Sequence, residues 1–200
     1  MVYISTMGAL KFKFDTRKTA QAAAYLLKLS PTRKTTKGHL VKMLYGADKR
    51  QIRKGGIPLT GDEPYSMPNG PVLSMVLRLL NGERKNQYWN RHISTAPRDT
   101  HSVSLLDEKI GDDLLSESEK ESLRRAWSIL GHLTWPEVQA FFHTKRNFPE
   151  WEDPGKSCKK IDFESIYGAV EHSAAVASEM VAQQKEEELL TSIFGSAQDS

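Results

Sequence analysis

The spacing of apolar residues between positions 39 and 80 constrains the fold of this 200-residue chain more than any other feature. Four of them fall at intervals of three and four residues: Leu40, Met43, Leu44 and Ala47. This spacing is that of one buried helix face. Glycine and proline crowd residues 55–68 immediately afterwards, so the helix cannot continue and a turn-rich connection must follow.

A second helix is predicted directly after the dipeptide Asn69-Gly70. Pro71 suits the first position of a helix, because its missing N–H has no intrahelical partner there. Asn81-Gly82 would end this helix. Its apolar face consists of Val72, Met75, Val76, Leu79 and Leu80. The two apolar faces predict two helices, each with one buried side.

Capping residues predict further helices on both sides of this pair. Asp15 or Thr16 can cap a helix over residues 16–29, since either side-chain oxygen accepts from free first-turn N–H groups. Ser116 and Glu119 have the spacing of a capping box, which predicts a helix that runs to about residue 130.

The C-terminal part of the chain is also predicted to be helical. Thr134 can cap a short helix whose first turn contains Pro136. A last helix is predicted from Asp162 towards Leu190 through an alanine-rich middle. Residues 195–200 are expected to fray, as chain ends usually do.

Alternation of apolar and polar residues predicts a small amount of β-structure. Residues 88–94 alternate in this way, and residues 101–106 form a plausible returning strand of a hairpin. Residues 11–14 are a further candidate strand. A lone hairpin is marginal and must pack on helices. We therefore predict an α+β fold, a predominantly helical single domain over residues 1–160 with a small antiparallel sheet, followed by a C-terminal helix and frayed tail over residues 161–200.

The composition favours a soluble cytoplasmic protein. No stretch of about eighteen apolar residues is present, so no membrane span is predicted. The first residues lack the pattern of a signal peptide. Cys158 is the single cysteine, which excludes an intrachain disulfide and makes the cytoplasm the expected location.

The charge is divided unevenly along the chain. Residues 1–100 contain 18 Lys and Arg against 6 Asp and Glu, whereas residues 101–200 contain 10 against 19. A basic half can face nucleic acid or an acidic partner, or the two halves can neutralise each other within the fold. The basic clusters at 33–37 and 49–54 keep a nucleic-acid-binding regulator as the alternative function.

No motif points to catalysis. The six histidines show no metal-ligand spacing, and Cys158 lacks the partners that a nucleophile needs. The acidic residues 112–119 precede and open a helix, where the helix dipole alone favours them. We therefore expect that the chain is not an enzyme and that it uses neither a metal nor a cofactor.

Three ordered motifs resemble the SocA-like antitoxin, or Panacea, domain family. They read Lys-Met-Leu-Tyr-Gly-Ala-Asp-Lys over 42–49, Gly-Ile-Pro-Leu-Thr-Gly-Asp over 56–62 and Gly-Pro-Val over 70–72. The later segments at 115–119, 131–135 and 143–151 look similar as well. Gly46 departs from the family pattern, in which a larger residue is common, and so does Met67-Pro68-Asn69.

The resemblance implies a small cytoplasmic protein of bacteria or phages that neutralises a cognate protein toxin by direct binding. In one branch of the family the antitoxin is an adaptor that delivers its toxin to a protease. The exposed polar residues of the motifs, Asp48, Thr60 and Asp62, are the better candidates for partner contacts, although Thr60 and Asp62 can also serve only to tie the turn. Tyr65, Trp89 and His92 complete the predicted partner-binding set.

Overall fold

Two capped helices form the centre of the fold in the computed structural model, which describes residues 11–95 and 101–170. Helix α1 (Thr16–Leu29) begins after Asp15, whose carboxylate accepts hydrogen bonds from two first-turn N–H groups. Helix α2 (Lys37–Gly55) begins after Thr36 and ends at Gly56. Gly56 has a φ of 78°, the left-handed conformation typical of a helix C-terminus. Both predicted helices are confirmed.

The remaining elements surround α2, which packs most extensively against α5. In chain order they are β1 (Lys34–Thr36), β2 (Pro64–Met67), β3 (Gly70–Leu73), α3 (Ser74–Leu80), α4 (Gln87–His92), β4 (Ser102–Ser104), α5 (Glu117–Leu130), α6 (Trp135–His143), β5 (Lys159–Lys160) and α7 (Phe163–Ala169). The fold is therefore α+β and mostly helical, as predicted.

Two small antiparallel sheets lie against the helices. One pairs β1 with β4, with Thr35 opposite Val103. The other has the order β3-β2-β5, in which β2 and β3 form a hairpin. Gly70 closes this hairpin with a φ of 94°, and an added Cβ there would lie 2.9 Å from both Lys42 Nζ and Phe142 Cβ. Glycine is required at this turn for both reasons.

The predicted start of the second central helix is wrong. Pro71 lies in β3, where it pairs with Ser66, and α3 begins three residues later at Ser74. The helix starts there because the Asp62 carboxylate accepts hydrogen bonds from the N–H groups of Met75 and Val76. A side chain distant in sequence thus caps α3, while the predicted end at Asn81-Gly82 is confirmed.

The predicted hairpin of residues 88–94 and 101–106 is also wrong. Residues 87–92 form helix α4, because the Asn86 side chain caps its first turn by accepting from Trp89 N–H at 2.9 Å. Strand β4 pairs instead with β1, and only an isolated bridge joins Ile93 to Leu105. Residues 11–14 form no strand.

The C-terminal helices begin where their caps predict. Ser116 and Glu119 form both bonds of the capping box that opens α5. Helix α7 follows its cap at Asp162 and packs against Ile52 of α2 through a small apolar cluster. The predicted continuation of this helix towards residue 190, and the frayed end, lie outside the described residues. The domain boundary at residue 160 stays a prediction. None of the described helices is both long and apolar enough to cross a membrane.

Candidate functional site

The polar motif residues of α2 and the following turn form one buried hydrogen-bond network. Asp48 accepts from both the N–H and the hydroxyl of Thr60, and Thr60 Oγ1 accepts in turn from the N–H of Asp62 at 3.1 Å. Asp62 then caps α3. The network therefore fixes the turn between α2 and α3 from both ends.

Burial dominates the electrostatics of this network. It raises the pKa of Asp48 to about 7 and that of Asp62 to about 6, although hydrogen bonds to each carboxylate act in the opposite direction. Asp48, Thr60 and Asp62 are each at most 4% exposed. The expectation that these three side chains are exposed is wrong, because each is enclosed by the turn that it ties. Their contact with a partner stays a prediction.

The other three predicted partner residues lie apart from this network. Tyr65 is half-buried in β2, where it pairs with Val72 of β3. Trp89 and His92 lie on α4 and are buried. His92 Nδ1 lies 3.3 Å from a carboxylate oxygen of Asp107, which is within ion-pair distance, but the arrangement lacks hydrogen-bond geometry. In the described part of the chain, no hydrogen bond or ion pair joins these residues to the network.

Lys42 is a buried lysine of α2 that contacts the β2–β3 hairpin and α6. Its amine donates to the carbonyl oxygen of Pro71 at 2.6 Å and lies 4.9 Å from the centre of the Phe142 ring. Only 1% of the residue is exposed, and burial lowers the pKa of its amine to about 6. The amine is therefore mostly neutral at pH 7.

Lys42→Met is expected to remove a pH-dependent part of the stability. Between pH 6 and 10 the unfolded chain binds a proton at Lys42 that the folded chain does not, so stability rises with pH by up to about 1.4 kcal/mol per unit. The gap between variant and wild-type free energies of unfolding should change by up to about 2 kcal/mol between pH 7.5 and 9. Urea titrations at both values measure it. The exposed Lys85→Met control should show no such change, and an unchanged gap for Lys42→Met contradicts the assignment.

A second buried network joins α2 to the segment that follows α6. The Glu150 carboxylate accepts from the hydroxyl of Tyr45 at 2.7 Å and from the amine of Lys49 at 2.8 and 3.0 Å. The same amine donates to the carbonyl oxygen of Asn147. Burial, followed by the charge of Glu150, raises the pKa of Tyr45 well above its usual range, so the phenol remains a donor. The network fixes the segment 144–151 against α2.

A cleft of about 680 Å³ lies beside this second network, between α2, α5, α6 and the end of α7. We call it the basic cleft. Five of its lining residues are cationic: Lys49, Arg50, Arg53, Arg125 and Arg146. Its remaining described lining is Gly46, Ser122, Ala126, Ile129, Leu130, Phe141, Phe142, Asn147, Phe148, Ala169 and Val170. No carboxylate side chain is among these residues.

The sequence analysis identified only some of the cations of the basic cleft. Lys49, Arg50 and Arg53 belong to the basic segment 49–54, whereas Arg125 and Arg146 lie about 70 and 90 residues further along the chain. The helical spacing of α5 could have placed Arg125 here. Arg125 follows Ser122 by three residues and precedes Ile129 by four, so the three side chains share the face of α5 that lines the cleft. Gly46 departs from the family pattern at this place, and an added Cβ there would meet nothing within 4 Å.

The chemistry of the basic cleft suits an anionic binding partner. Guanidinium groups bind carboxylates and phosphates in a bidentate manner, and the apolar floor adds contact area.

Within residues 11–95 and 101–170, no group of three His, Cys, Asp or Glu side chains could hold a metal ion. The expectations of no metal, no cofactor and no catalysis stay predictions.

The family comparison matches the part of the chain that builds both networks and most of the basic cleft. The family model described as antitoxin SocA-like, Panacea domain, matches residues 40–152, more than half of the chain. No curated protein and no solved structure matches the chain. The resemblance carried by the three motifs is thereby confirmed, and the chain belongs to the SocA-like antitoxin family with a Panacea domain.

Proposed function

We propose that this protein neutralises a cognate protein toxin by binding it directly, in the cytoplasm and without catalysing a reaction. The observation that carries the proposal is the antitoxin family match over residues 40–152. The matched part includes most of α2 and all of the β2–β3 hairpin, α5 and α6. It therefore contains both buried hydrogen-bond networks and the exposed arginines beside them, whereas α1 lies before the matched part.

The basic cleft is the surface that we assign to toxin binding. Arg53, Arg125 and Arg146 all lie within the matched residues and are exposed. Within the described residues none of the three forms an ion pair, so their charge is available to an acidic protein surface. Charged groups of this kind set the association rate and the choice of partner more than the affinity alone.

Replacing these three arginines together by glutamate is expected to abolish neutralisation. The variant R53E/R125E/R146E reverses the charge of the basic cleft without touching either buried network. Host extract passed over the tagged chain identifies the toxin by mass spectrometry, and titration of the purified pair should then show a loss of affinity of at least about 100-fold. Growth rescue upon co-expression should fail in parallel.

A matched control reverses three exposed arginines elsewhere. R78E/R84E/R91E makes the same change in net charge outside the basic cleft and should leave affinity within about threefold of wild type. Equal losses in the two triple variants would remove the basic cleft as the binding surface. Recovery of no toxic protein from the host would overturn the proposed function itself.

Delivery of the toxin to a protease is a separate mechanism within the same proposal. It predicts that the half-life of the toxin shortens when this protein is present, whereas occlusion alone leaves the half-life unchanged or lengthens it. A pulse-chase measurement with and without the antitoxin distinguishes the two. Loss of toxicity with an unchanged half-life excludes the adaptor mechanism.

Nucleic-acid binding is the second candidate function, favoured by the observation that Lys49, Arg50 and Arg53 of the basic segment all face the basic cleft. Phosphate contacts of this kind release counterions, so affinity should fall steeply between 50 and 200 mM salt. Titration of a labelled oligonucleotide tests it. Absence of binding at the lower salt concentration excludes this candidate.

A further inference from the structure

Gly46 lies in the middle of α2 and lines the basic cleft. A glycine in a helix interior lowers stability relative to alanine, because it loses more conformational freedom when the chain folds. Gly46 does not have a positive φ, and an added Cβ would meet no described atom within 4 Å. Neither the backbone conformation nor packing among the described residues therefore requires glycine at this position.

The cations of α2 lie on the same side of the helix as Gly46. Lys49, Arg50 and Arg53 follow it by three, four and seven residues, so the four residues share one face of α2. All four line the basic cleft. At Gly46 this face has a gap where the next side chain would lie, and we call this gap the glycine notch.

Aromatic side chains border the same face of α2. The rings of Phe142 and Phe148 are stacked with their centres 4.3 Å apart, and the ring of Phe141 lies within 5.6 Å of both. The Lys49 amine lies 4.7 Å from the centre of the Phe148 ring. All three rings line the basic cleft. An apolar side chain that enters the cleft beside α2 would therefore be removed from water, which is favourable in proportion to the area buried.

The charges around the glycine notch indicate what else an occupant must carry. Within residues 11–95 and 101–170, Arg53, Arg125 and Arg146 form no ion pair. Arg50 pairs with Glu121 through one terminal nitrogen, whereas its Nε is buried without a hydrogen-bond partner among the described residues. A buried donor without an acceptor is unfavourable. Carboxylates in the cleft would supply both the acceptor and the missing counter-charges.

We propose that Gly46 determines the specificity of the basic cleft: the toxin inserts one apolar side chain into the glycine notch, while carboxylates of the same acidic segment bind the surrounding arginines. This assignment rests on the proposed function, because it takes the toxin as the occupant. It adds that the toxin segment combines negative charge with a single apolar anchor. A protein that offers the charge without the anchor binds the cleft less tightly.

Filling the glycine notch tests the proposal. Gly46→Leu puts an apolar side chain into the gap, and Gly46→Gln puts a polar side chain of similar size there. Both residues are better helix formers than glycine, so each variant should melt roughly 1–3 °C above wild type. Affinity for the toxin should nevertheless fall at least about tenfold in both, because the anchor is displaced. A purely structural role of Gly46 would not combine greater stability with weaker binding.

Gly55→Leu and Gly55→Gln are the matched controls. Gly55 belongs to the same helix and is equally unhindered, since an added Cβ there meets nothing within 4 Å. It lies nine residues after Gly46, which places it on the opposite face of α2, and it is not among the lining residues of the cleft. Both control variants should bind the toxin within about threefold of wild type.

Salt dependence separates the anchor from the charges around it. The affinity ratio of wild type to Gly46→Leu should be the same at about 50 and 200 mM salt, since salt does not screen an apolar contact. The ratio of wild type to R53E/R125E/R146E should shrink at the higher concentration. Titration of each purified variant with the toxin recovered from host extract measures both ratios.

Two outcomes overturn the assignment and leave the proposed function standing. In one, the toxin loses affinity for R53E/R125E/R146E but binds Gly46→Leu as tightly as wild type. In the other, the Gly46 and Gly55 variants lose affinity equally, which attributes the loss to a change in α2 and not to the glycine notch. Recovery of no toxic protein from the host overturns the proposed function and this assignment together.

Discussion

Gly61→Ala is expected to destabilise the protein by about 2–4 kcal/mol and to lower its melting temperature by roughly 5–15 °C. Gly61 has a φ of 67°, a conformation that costs a side-chain-bearing residue free energy. An added Cβ would also lie 2.3 Å from the backbone carbonyl oxygen of Lys13. Because backbone cannot rotate away, the segment before α1 must shift, and the hydrogen bond from Asp15 N–H to the carbonyl oxygen of Thr60 is lost.

Gly55→Ala is the matched control for this substitution. Gly55 is the last residue of α2, does not have a positive φ, and its added Cβ meets nothing within 4 Å. Alanine is the better helix former, so this variant should be neutral or more stable by up to about 1 kcal/mol. Urea and thermal denaturation of both variants measure the difference. If both melt at the same temperature as wild type, the close approach at Gly61 is refuted.

Local chemistry explains why most helices could be predicted from the sequence. The caps at Asp15 and Ser116 accept from N–H groups within three residues, and Glu137 accepts from the N–H of Thr134 three residues before it. A short stretch of sequence therefore contains the whole signal. The helix ends at Gly56 and Gly82 are local for the same reason. The family motifs, which lie in α2, in the turn after it and in β3, added the identity of the domain.

The start of α3 and the identity of α4 could not be predicted in the same way. The start of α3 depends on Asp62, which lies twelve residues before Ser74 and reaches it only once the hairpin has formed. In α4, alternation along 88–94 suggested a strand, yet Trp89, His92 and Ile93 are the buried residues and have helical spacing. The cap at Asn86 was the missed local signal.

Burial of polar motif residues was the other point at which the sequence misled. Asp48 and Asp62 are of types that are seldom fully buried, so exposure was the reasonable expectation. The structure shows why they can be buried: each carboxylate accepts at least two hydrogen bonds from the turn or the helix start beside it. The basic cleft could not be predicted from the sequence either, because its cations come from three separate parts of the chain.

Glu150→Ala is expected to cost about 3–5 kcal/mol, because it leaves the largely buried Lys49 amine without its counter-charge. The Glu150 side chain is fully buried and that of Lys49 is 13% exposed. Tyr45 also loses the acceptor of its hydroxyl. The melting temperature should fall by roughly 10 °C or more.

Glu152→Ala provides the control. Glu152 lies two residues after Glu150 but outside the buried network, and its exposed carboxylate pairs with the exposed amine of Lys159. Solvent screens an exposed pair of this kind, so its loss changes stability little and this variant should melt close to wild type. A similar fall in melting temperature in both variants would show that the buried Glu150–Lys49 pair stabilises the protein no more than the exposed pair does.

Glu150→Ala should also weaken binding at the basic cleft, although Glu150 is not among its lining residues. The Glu150–Lys49 pair holds the segment 144–151 against α2, and that segment supplies Arg146 to the cleft. Releasing the segment frees Arg146 from its position in the lining of the cleft, which adds an ordering cost to partner binding. Affinity for the toxin, measured well below the melting temperature, should therefore fall in Glu150→Ala and remain unchanged in Glu152→Ala. Unchanged affinity in a folded Glu150→Ala protein would show that the position of Arg146 does not depend on the buried network.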